Sequence, residues 1–140
     1  MTAQVVVHAT TIAFDGRGVL ILGGAGRGKS SLALLLLAIG AVLVADDQTV
    51  LTRQGAQIVA TCPPALEGLI EARAVGLLHA PHLPRADLCL AVDLDQTETA
   101  RLPDHRSTVL LGRPLSVVYG NTSAHFPSSV KHYVMFGRKA

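Results

Sequence analysis

Short apolar stretches alternate with glycine-rich or polar stretches along most of the chain. Residues 28–39 are rich in Leu and Ala and are followed by Gly40, which predicts a helix that ends there. Several flanking stretches have the length and β-branched content typical of strands: "GVLILGG", "AVLVA", "LCLAVDL" and the interrupted pair "STVLLGRPLSVV". Upstream, "QVVVHATTIAF" predicts a further strand or hairpin. The order of these elements predicts an α/β fold built on a mixed sheet.

Three other segments carry weaker patterns. "TVLTRQGAQIVAT" predicts a hairpin that turns at Gln54-Gly55, whereas "ALEGLIEARAVGLLHA" gives mixed indications. The last segment, "SSVKHYVMFGRKA", predicts a helix with one apolar side. That side carries Val130, Tyr133 and Val134, and we expect the basic residues of the segment to form a solvated face, namely Lys131, Arg138 and Lys139.

Composition limits the classes of protein to consider. The chain has 140 residues, 49% of them apolar, which is enough for one domain spanning residues 1–140. Only 16% are charged, so we expect part of the surface to be buried or paired with another subunit. A net charge of +2 and an aromatic content of 4% argue against a nucleic-acid partner.

The sequence also argues against a membrane or secreted protein. Its most apolar segment, "SLALLLLAIG", is about half the length needed to cross a bilayer, and its start lacks a secretory pattern. No metal-type spacing links Cys62 and Cys89, and both are expected to be reduced thiols. We therefore expect a cytoplasmic location without membrane insertion.

One motif indicates a phosphate-binding loop. The stretch "GGAGRGKS" has glycine, four residues, then Gly-Lys-Ser, and it lies between a predicted strand and a predicted helix. Glycines let successive backbone N–H groups face a phosphate, and the start of the helix adds further donors. The lysine supplies charge and the serine a hydroxyl ligand for Mg²⁺. The expected nucleotide-binding residues are Gly23, Gly24, Ala25, Gly26, Arg27, Gly28, Lys29 and Ser30.

Two adjacent acids, Asp46 and Asp47, follow the next strand. In a right-handed β-α-β unit the two strands run parallel, so their carboxyl ends reach the same edge of the sheet. We therefore expect both acids to face the phosphate loop. One carboxylate can hold a metal, directly or through water, and the other can accept a proton from an attacking hydroxyl. The alternatives are a ligand-free glycine turn and a polar turn that caps the strand.

These motifs resemble a known family. "GGAGRGKSSLALLLLAIGAVLVADD" together with "GLIEARAVGLL" is similar to the catalytic domain of HPr kinase/phosphorylase, over His8 to about residue 94. The resemblance implies an Mg²⁺-dependent enzyme that uses ATP to phosphorylate a serine of the phosphocarrier HPr and also removes that phosphate. It implies a phosphate-loop (P-loop) fold similar to phosphoenolpyruvate carboxykinase, and a homo-oligomer, since the family forms hexamers.

The resemblance also implies roles for individual residues. Asp47 matches the family's proton acceptor, and Lys29 and Ser30 keep the roles given above. His8 and Arg85 match a catalytic histidine and a catalytic arginine on a mobile loop. The expected metal-binding residues are Ser30, Asp46 and Glu71.

The chain also departs from this family. The expected form is a short one with only the catalytic domain, without the usual N-terminal domain, and the match fades after residue 95. Glu71 and Arg73 have the alternative of a surface ion pair, and Arg85 that of a solvated loop residue. An alternative function is an ATP-binding sensor with little transfer activity. A small-molecule kinase is disfavoured because the chain lacks room for a substrate lid.

Overall fold

The computed structural model describes residues 3–140. Two helices, α1 (Lys29–Ala38) and α2 (Phe126–Phe136), accompany eleven strands among these residues. The strands are β1 (Gln4–Val7), β2 (Ala9–Phe14), β3 (Arg17–Leu22), β4 (Val42–Ala45), β5 (Thr49–Gln54), β6 (Gln57–Thr61), β7 (Leu69–Ala72), β8 (Gly76–His79), β9 (Arg85–Thr97), β10 (Arg106–Leu110) and β11 (Arg113–Gly120). The predicted α/β class with a mixed sheet is confirmed.

Nine strands form one sheet, in which the main order is β1-β5-β6-β9-β3-β2-β4. The long strand β9 is its centre, because it pairs with β3 along one edge and with β6 and then β11 along the other. The hairpin of β10 and β11 extends the sheet, and β7 and β8 form a separate hairpin. The predicted turn between β5 and β6 and the predicted strand pair near the carboxyl end are confirmed.

The strand before the predicted phosphate loop and the strand after the following helix run in the expected directions. Strands β3 and β4 both pair antiparallel with β2, so they run parallel to each other with β2 between them. Their carboxyl ends lie at the same edge of the sheet, as predicted. Strand β2 begins at that edge, so the residue just before β2 and the first residues of β2 also lie there.

Strand β2 turns into β3 at Asp15-Gly16, where both residues have positive φ angles of 51° and 76°. This is the Asp-Gly type I′ hairpin turn, whose left-handed backbone matches the twist of the two strands. The sequence pattern predicts a strand or hairpin in this region and leaves the turn unassigned. The Asp-Gly pair was the available indication.

The two faces of the sheet carry separate apolar clusters. Both helices pack on one face, where Ile12, Ile21 and Val92 meet Leu36 of α1 and Val130 of α2. The other cluster is contributed by strands alone, from β2, β3, β4, β5, β6, β9 and β11. The predicted apolar side of the last helix is confirmed, because Val130 and Val134 are buried and Tyr133 packs against them.

The prediction that the basic residues of the last segment form a solvated face is wrong for two of them. Lys131 Nζ donates to the carbonyl of Ile39, 2.7 Å away, at the end of α1. The last carbonyls of a helix have no partner within it, so a neighbouring ammonium group satisfies one of them. Arg138 likewise donates to the carbonyl of Pro103, whereas Lys139 is exposed.

Neither α1 nor α2 is long and apolar enough to cross a bilayer, and residues 3–140 include no other α-helix. Cys62 and Cys89 are both free thiols. Partial burial, followed by the negative charges of Glu67 and Asp46, raises the pKa of the Cys62 thiol.

Candidate phosphate-binding site

The predicted phosphate loop connects β3 to α1 at the carboxyl edge of the sheet. Gly28 lies at the N-cap of α1 with φ 93°, a left-handed conformation that favours glycine. At Gly23 the reason is space, since a Cβ there would crowd the Cβ of Arg27 at 3.1 Å and the Cβ of Leu94 at 3.2 Å. No side chain caps the first turn of α1 and no acid lies in it. Its backbone N–H groups are therefore open to an anion.

Lys29 folds back over this loop. Its side chain is only 6% exposed, and its Nζ donates to the carbonyls of Gly23 at 2.8 Å and Gly24 at 3.3 Å. These two contacts hold the ammonium group inside the curve of the loop. The same Nζ lies 4.0 Å from Asp47 Oδ1, across the mouth of the loop.

Asp46 points inward and connects several elements. Its residue is 8% exposed, and Oδ1 accepts hydrogen bonds from the hydroxyls of Ser30 at 2.7 Å and Thr10 at 2.9 Å. Its Oδ2 accepts from the backbone N–H of Glu71 at 2.9 Å. One carboxylate thus joins β4 to the first turn of α1, to β2 and to β7.

Asp47 points the other way, into solvent. Its side chain is 62% exposed, and its φ of 66° is left-handed. Oδ1 lies 2.5 Å from Nε2 of His8, and the backbone N–H donates to Thr10 Oγ1 at 3.1 Å. Because the backbone of Asp47 is left-handed, the two adjacent carboxylates point in different directions, which reduces the repulsion between them.

An open cavity of about 450 Å³ lies in front of the loop. Besides loop residues 25–28 and the start of α1, it is lined by His8, Asp47, Glu71 and Arg73. Arg27, Lys29 and Arg73 outnumber the two carboxylates, so the cavity favours an anionic ligand. Asp46 lies behind this surface and acts on it through Ser30.

The structure therefore brings together most of the residues predicted for the site. His8, Lys29, Ser30, Asp46, Asp47, Glu71 and the loop 23–28 lie at one edge of the sheet. Arg73 was not predicted for the site, although it lies two residues after Glu71, the spacing at which a strand returns to the same face. No ion pair joins Glu71 and Arg73 in the part of the chain that the structure describes.

Arg85 is the exception, because the structure does not bring it to this site. It is the first residue of β9, where its Nη2 donates to Gln54 Oε1 at 3.0 Å. Strand β9 runs parallel to β3 with Asp93 opposite Leu22, so Arg85 lies at the amino end of the strand. At ~3.3 Å per residue that end is roughly 25 Å from the loop. The prediction that Arg85 lies on a loop is wrong, because β9 already begins at this residue.

The carboxyl end of β9 contacts the loop instead. Asp95 Oδ1 accepts the backbone N–H of Gly24 at 3.1 Å and lies 3.3 Å from Nε of Arg27. The amide of Gly24 is thus already occupied by the protein, and the amide of Arg27 donates to the carbonyl of Gly24. The sequence motif, in contrast, predicts that both amides face a phosphate. The acids that end "LCLAVDLD" were the available indication of this contact.

Comparison with known proteins identifies relatives of the chain. Residues 1–84 match the family described as HPr Serine kinase C-terminal domain. HPr kinase/phosphorylase from Cupriavidus metallidurans is 36% identical over 127 residues, which cover 82% of this chain and 39% of that protein. HPr kinase/phosphorylase from Burkholderia lata is 37% identical over 130 residues, which cover 84% of this chain and 40% of that protein.

A solved structure has the same fold. The HPr(Ser) kinase/phosphatase from Coxiella burnetii superposes with a TM-score of 0.78 at 24% identity, covering 92% of this chain and 87% of that chain. The chain spans about two fifths of the length of the curated relatives it matches, 39% and 40% of the two named above. Because the family match extends over residues 1–84 of 140, the chain belongs to the HPr serine kinase C-terminal domain family.

Proposed function

We propose that this chain is a kinase domain that transfers a phosphoryl group from ATP to a serine of an HPr-type phosphocarrier in the cytoplasm. We further propose that its fold is the P-loop type related to phosphoenolpyruvate carboxykinase. The observation that carries the proposal is the position of Asp47. Its exposed carboxylate lies 2.5 Å from His8 and 4.0 Å from the Nζ of Lys29, at the mouth of the phosphate loop.

The loop holds the β and γ phosphates of ATP in this proposal. The uncapped first turn of α1 supplies backbone donors, and Lys29 supplies a charge already fixed by two carbonyls. Fixed donors need no reorganisation when charge develops on the transferring group, which is why such sites stabilise transition states. Arg73, which lines the same cavity, takes in this proposal the role of catalytic arginine that was predicted for Arg85.

The residues present fit a magnesium ion. Carboxylate and hydroxyl oxygens are its preferred protein ligands, and the site offers Ser30 and the exposed Glu71. The hydroxyl of Ser30 donates a hydrogen bond to Asp46, so the lone pairs of the Ser30 oxygen stay free. Asp46 accepts three hydrogen bonds from the protein, so its proposed role is to orient Ser30. When bound, Mg²⁺ neutralises phosphate charge. Among residues 3–140 no three His, Cys, Asp or Glu side chains form a cluster that could hold a metal.

The proton of the acceptor serine goes to Asp47 in this mechanism. The serine oxygen attacks the γ phosphorus, the bond to the β-phosphate oxygen breaks, and ADP leaves. His8 holds the Asp47 carboxylate through the 2.5 Å contact. In the dephosphorylating reaction, an oxygen of inorganic phosphate attacks the phosphorus of phosphoserine and the bond from that phosphorus to the serine oxygen breaks, which forms pyrophosphate. Asp47 gives its proton to the serine oxygen as it leaves.

We propose that the domain acts as a homo-oligomer, with the hexamer of the family as its expected form. Large apolar side chains are exposed on β1, on the β7–β8 hairpin and on β10, which supports burial against another subunit. They are Val5, Val6, Val75, Leu77 and Val109. Light scattering coupled to size-exclusion chromatography tests this, and a monomer at micromolar concentration contradicts it.

The test of the proposed function is transfer from γ-labelled ATP to purified HPr. We expect label on HPr with the wild-type chain and none on an HPr variant whose acceptor serine is replaced by alanine. Lys29→Ala removes the fixed ammonium group, so we expect it to abolish ATP binding in calorimetry. An ATP-binding sensor gives a different result: ATP binds to the wild-type chain but HPr stays unlabelled.

A further inference from the structure

Thr10 lies between the two acids of the site and contacts both. The residue is fully buried, with 0% of its surface exposed. Its hydroxyl donates to Asp46 Oδ1 at 2.9 Å and accepts the backbone N–H of Asp47 at 3.1 Å. A single hydroxyl therefore fixes the side chain of one acid and the backbone of the next, with both its donor and its acceptor capacity in use.

The backbone of Asp47 needs such a partner. Its φ of 66° lies in the left-handed region, which costs free energy for any residue with a Cβ. A tight turn accompanies this conformation, since the N–H of Gln48 donates to the carbonyl of Asp46 at 2.8 Å. Thr10 is the partner of the Asp47 N–H. Without it, the backbone is free to leave this conformation.

The direction of the Asp47 side chain depends on that backbone. The carboxylate is 62% exposed, so little packing restrains it apart from its contacts with His8 and Lys29. A change at the backbone of Asp47 moves the carboxylate away from both partners. Proton transfer is sensitive to shifts of this size, because the acceptor must stay within hydrogen-bond reach of the attacking hydroxyl.

We propose that Thr10 is a positioning residue for the proton acceptor Asp47. It contacts neither nucleotide nor acceptor protein and acts through the Asp47 backbone and the Asp46 carboxylate. This inference rests on the proposed function, since it assigns to Thr10 a part of that same reaction.

Thr11 provides a matched control on the same strand. It is also 0% exposed, and its hydroxyl lies 2.9 Å from that of Thr49, which in turn donates to the carbonyl of Ala9. Thr11→Val therefore removes a buried hydroxyl of the same kind without touching either acid. A purely structural role for Thr10 predicts that Thr10→Val and Thr11→Val behave alike.

The experiment compares Thr10→Val, Thr10→Ser and Thr11→Val in ATP binding, melting temperature and single-turnover transfer to HPr. General base catalysis contributes about 10²–10⁴-fold, so we expect misplacement of Asp47 to lower the transfer rate of Thr10→Val by about 10- to 100-fold. The dissociation constant of ATP stays within about threefold, because the loop and Lys29 are unchanged. Thr10→Ser keeps the hydroxyl and stays within about threefold of wild type, as does Thr11→Val.

A double variant separates positioning from general damage. If Thr10 acts through Asp47, Thr10→Val has no further effect on the transfer rate once Asp47→Asn is present. Equal rates for Thr10→Val and Thr11→Val, or failure of Thr10→Ser to restore the rate, overturn the proposal. Where the valine variant does not fold, Thr10→Ala replaces it under the same criteria.

A measurement without substrates distinguishes failure of this inference from failure of the proposed function. The ring signals of His8 in proton–carbon spectra report its contact with Asp47. We expect them to shift in Thr10→Val and to stay in place in Thr11→Val. If the wild-type chain transfers nothing to HPr but the His8 signals behave as stated, the proposed function fails and the positioning role of Thr10 stands. Unchanged His8 signals in Thr10→Val contradict the positioning role.

Discussion

At the scale of single residues, the site depends on the opposite directions of two neighbouring acids. Asp46 is buried and satisfied by three donors, whereas Asp47 is exposed beside His8. The sequence predicted both acids near the loop because a short helix returns the chain to the same edge. It did not predict the contact with Thr10, because that contact depends on the pairing of β2 with β4, elements far apart in the chain.

The donors around Asp46 make a prediction about stability. An asparagine there presents an N–H₂ group to at least one of the three donors, so a buried donor loses its acceptor. We expect Asp46→Asn to lower the free energy of unfolding by about 1–3 kcal/mol in urea titrations. The matched change Asp47→Asn is exposed and should stay within about 0.5 kcal/mol of wild type. Equal stability of the two variants would contradict the role given to Asp46.

The ion pair of Glu98 predicts how the stability of the fold depends on pH. Its hydrogen bond with Arg106 lowers the pKa of the Glu98 carboxyl. The ion pair therefore stabilises the fold above the unfolded pKa of about 4.3, and this contribution disappears as pH falls through the folded pKa. We expect Glu98→Gln to melt below wild type at pH 7, with the difference closing as the pH is lowered towards 3. A difference that stays constant over this range would rule out the ion pair as its cause.

At the scale of elements, the position of β2 between β3 and β4 assembles the site. It delivers His8 and Thr10 to the edge where the loop and the two acids end. The loop, α1 and the following strand were predictable because each has a local pattern. The order of strands was not, since β9 contacts β6, β3 and β11 from different parts of the chain. Arg85 was therefore wrongly predicted to lie at the site, because its position depends on how β9 pairs within the sheet.

The contact between the helices makes a prediction at this scale. Lys131 of α2 donates to the carbonyl of Ile39 at the end of α1 and lies 5.6 Å from the ring centre of Phe14. Lys131→Met keeps the aliphatic part and removes the donor. We expect it to lower the unfolding free energy by about 0.5–1.5 kcal/mol. The control is Lys139→Met, which changes an exposed lysine, and a similar loss in both variants would refute the contact.

In the molecule as a whole, the residues of the candidate site lie at only one of the two ends of the sheet. The carboxyl ends of β3, β4 and β9 carry the loop and the acids, whereas the amino end of β9 carries Arg85. Ligands bind at the carboxyl ends of parallel strands in open α/β sheets, which agrees with this arrangement. Helices cover one face and strands alone build the cluster of the other.

This arrangement predicts that Arg85 is dispensable for the reaction within one chain. Because it lies roughly 25 Å from the loop at ~3.3 Å per strand residue, we expect Arg85→Ala to keep ATP binding and the transfer rate within about twofold of wild type. The companion variant Arg73→Ala changes an arginine that lines the cavity and should reduce transfer. A large loss in Arg85→Ala alone would restore Arg85 to the mechanism.

In the proposed mechanism, Asp47 accepts the proton of the attacking serine while Lys29 and the loop hold ATP. The most direct test is single-turnover transfer from ATP to HPr by Asp47→Asn, with the dissociation constant of ATP measured on the same sample. If Asp47 is the proton acceptor, we expect ATP binding within about threefold of wild type and a transfer rate lower by about 10²–10⁴-fold. Transfer to HPr at the wild-type rate by Asp47→Asn would contradict it.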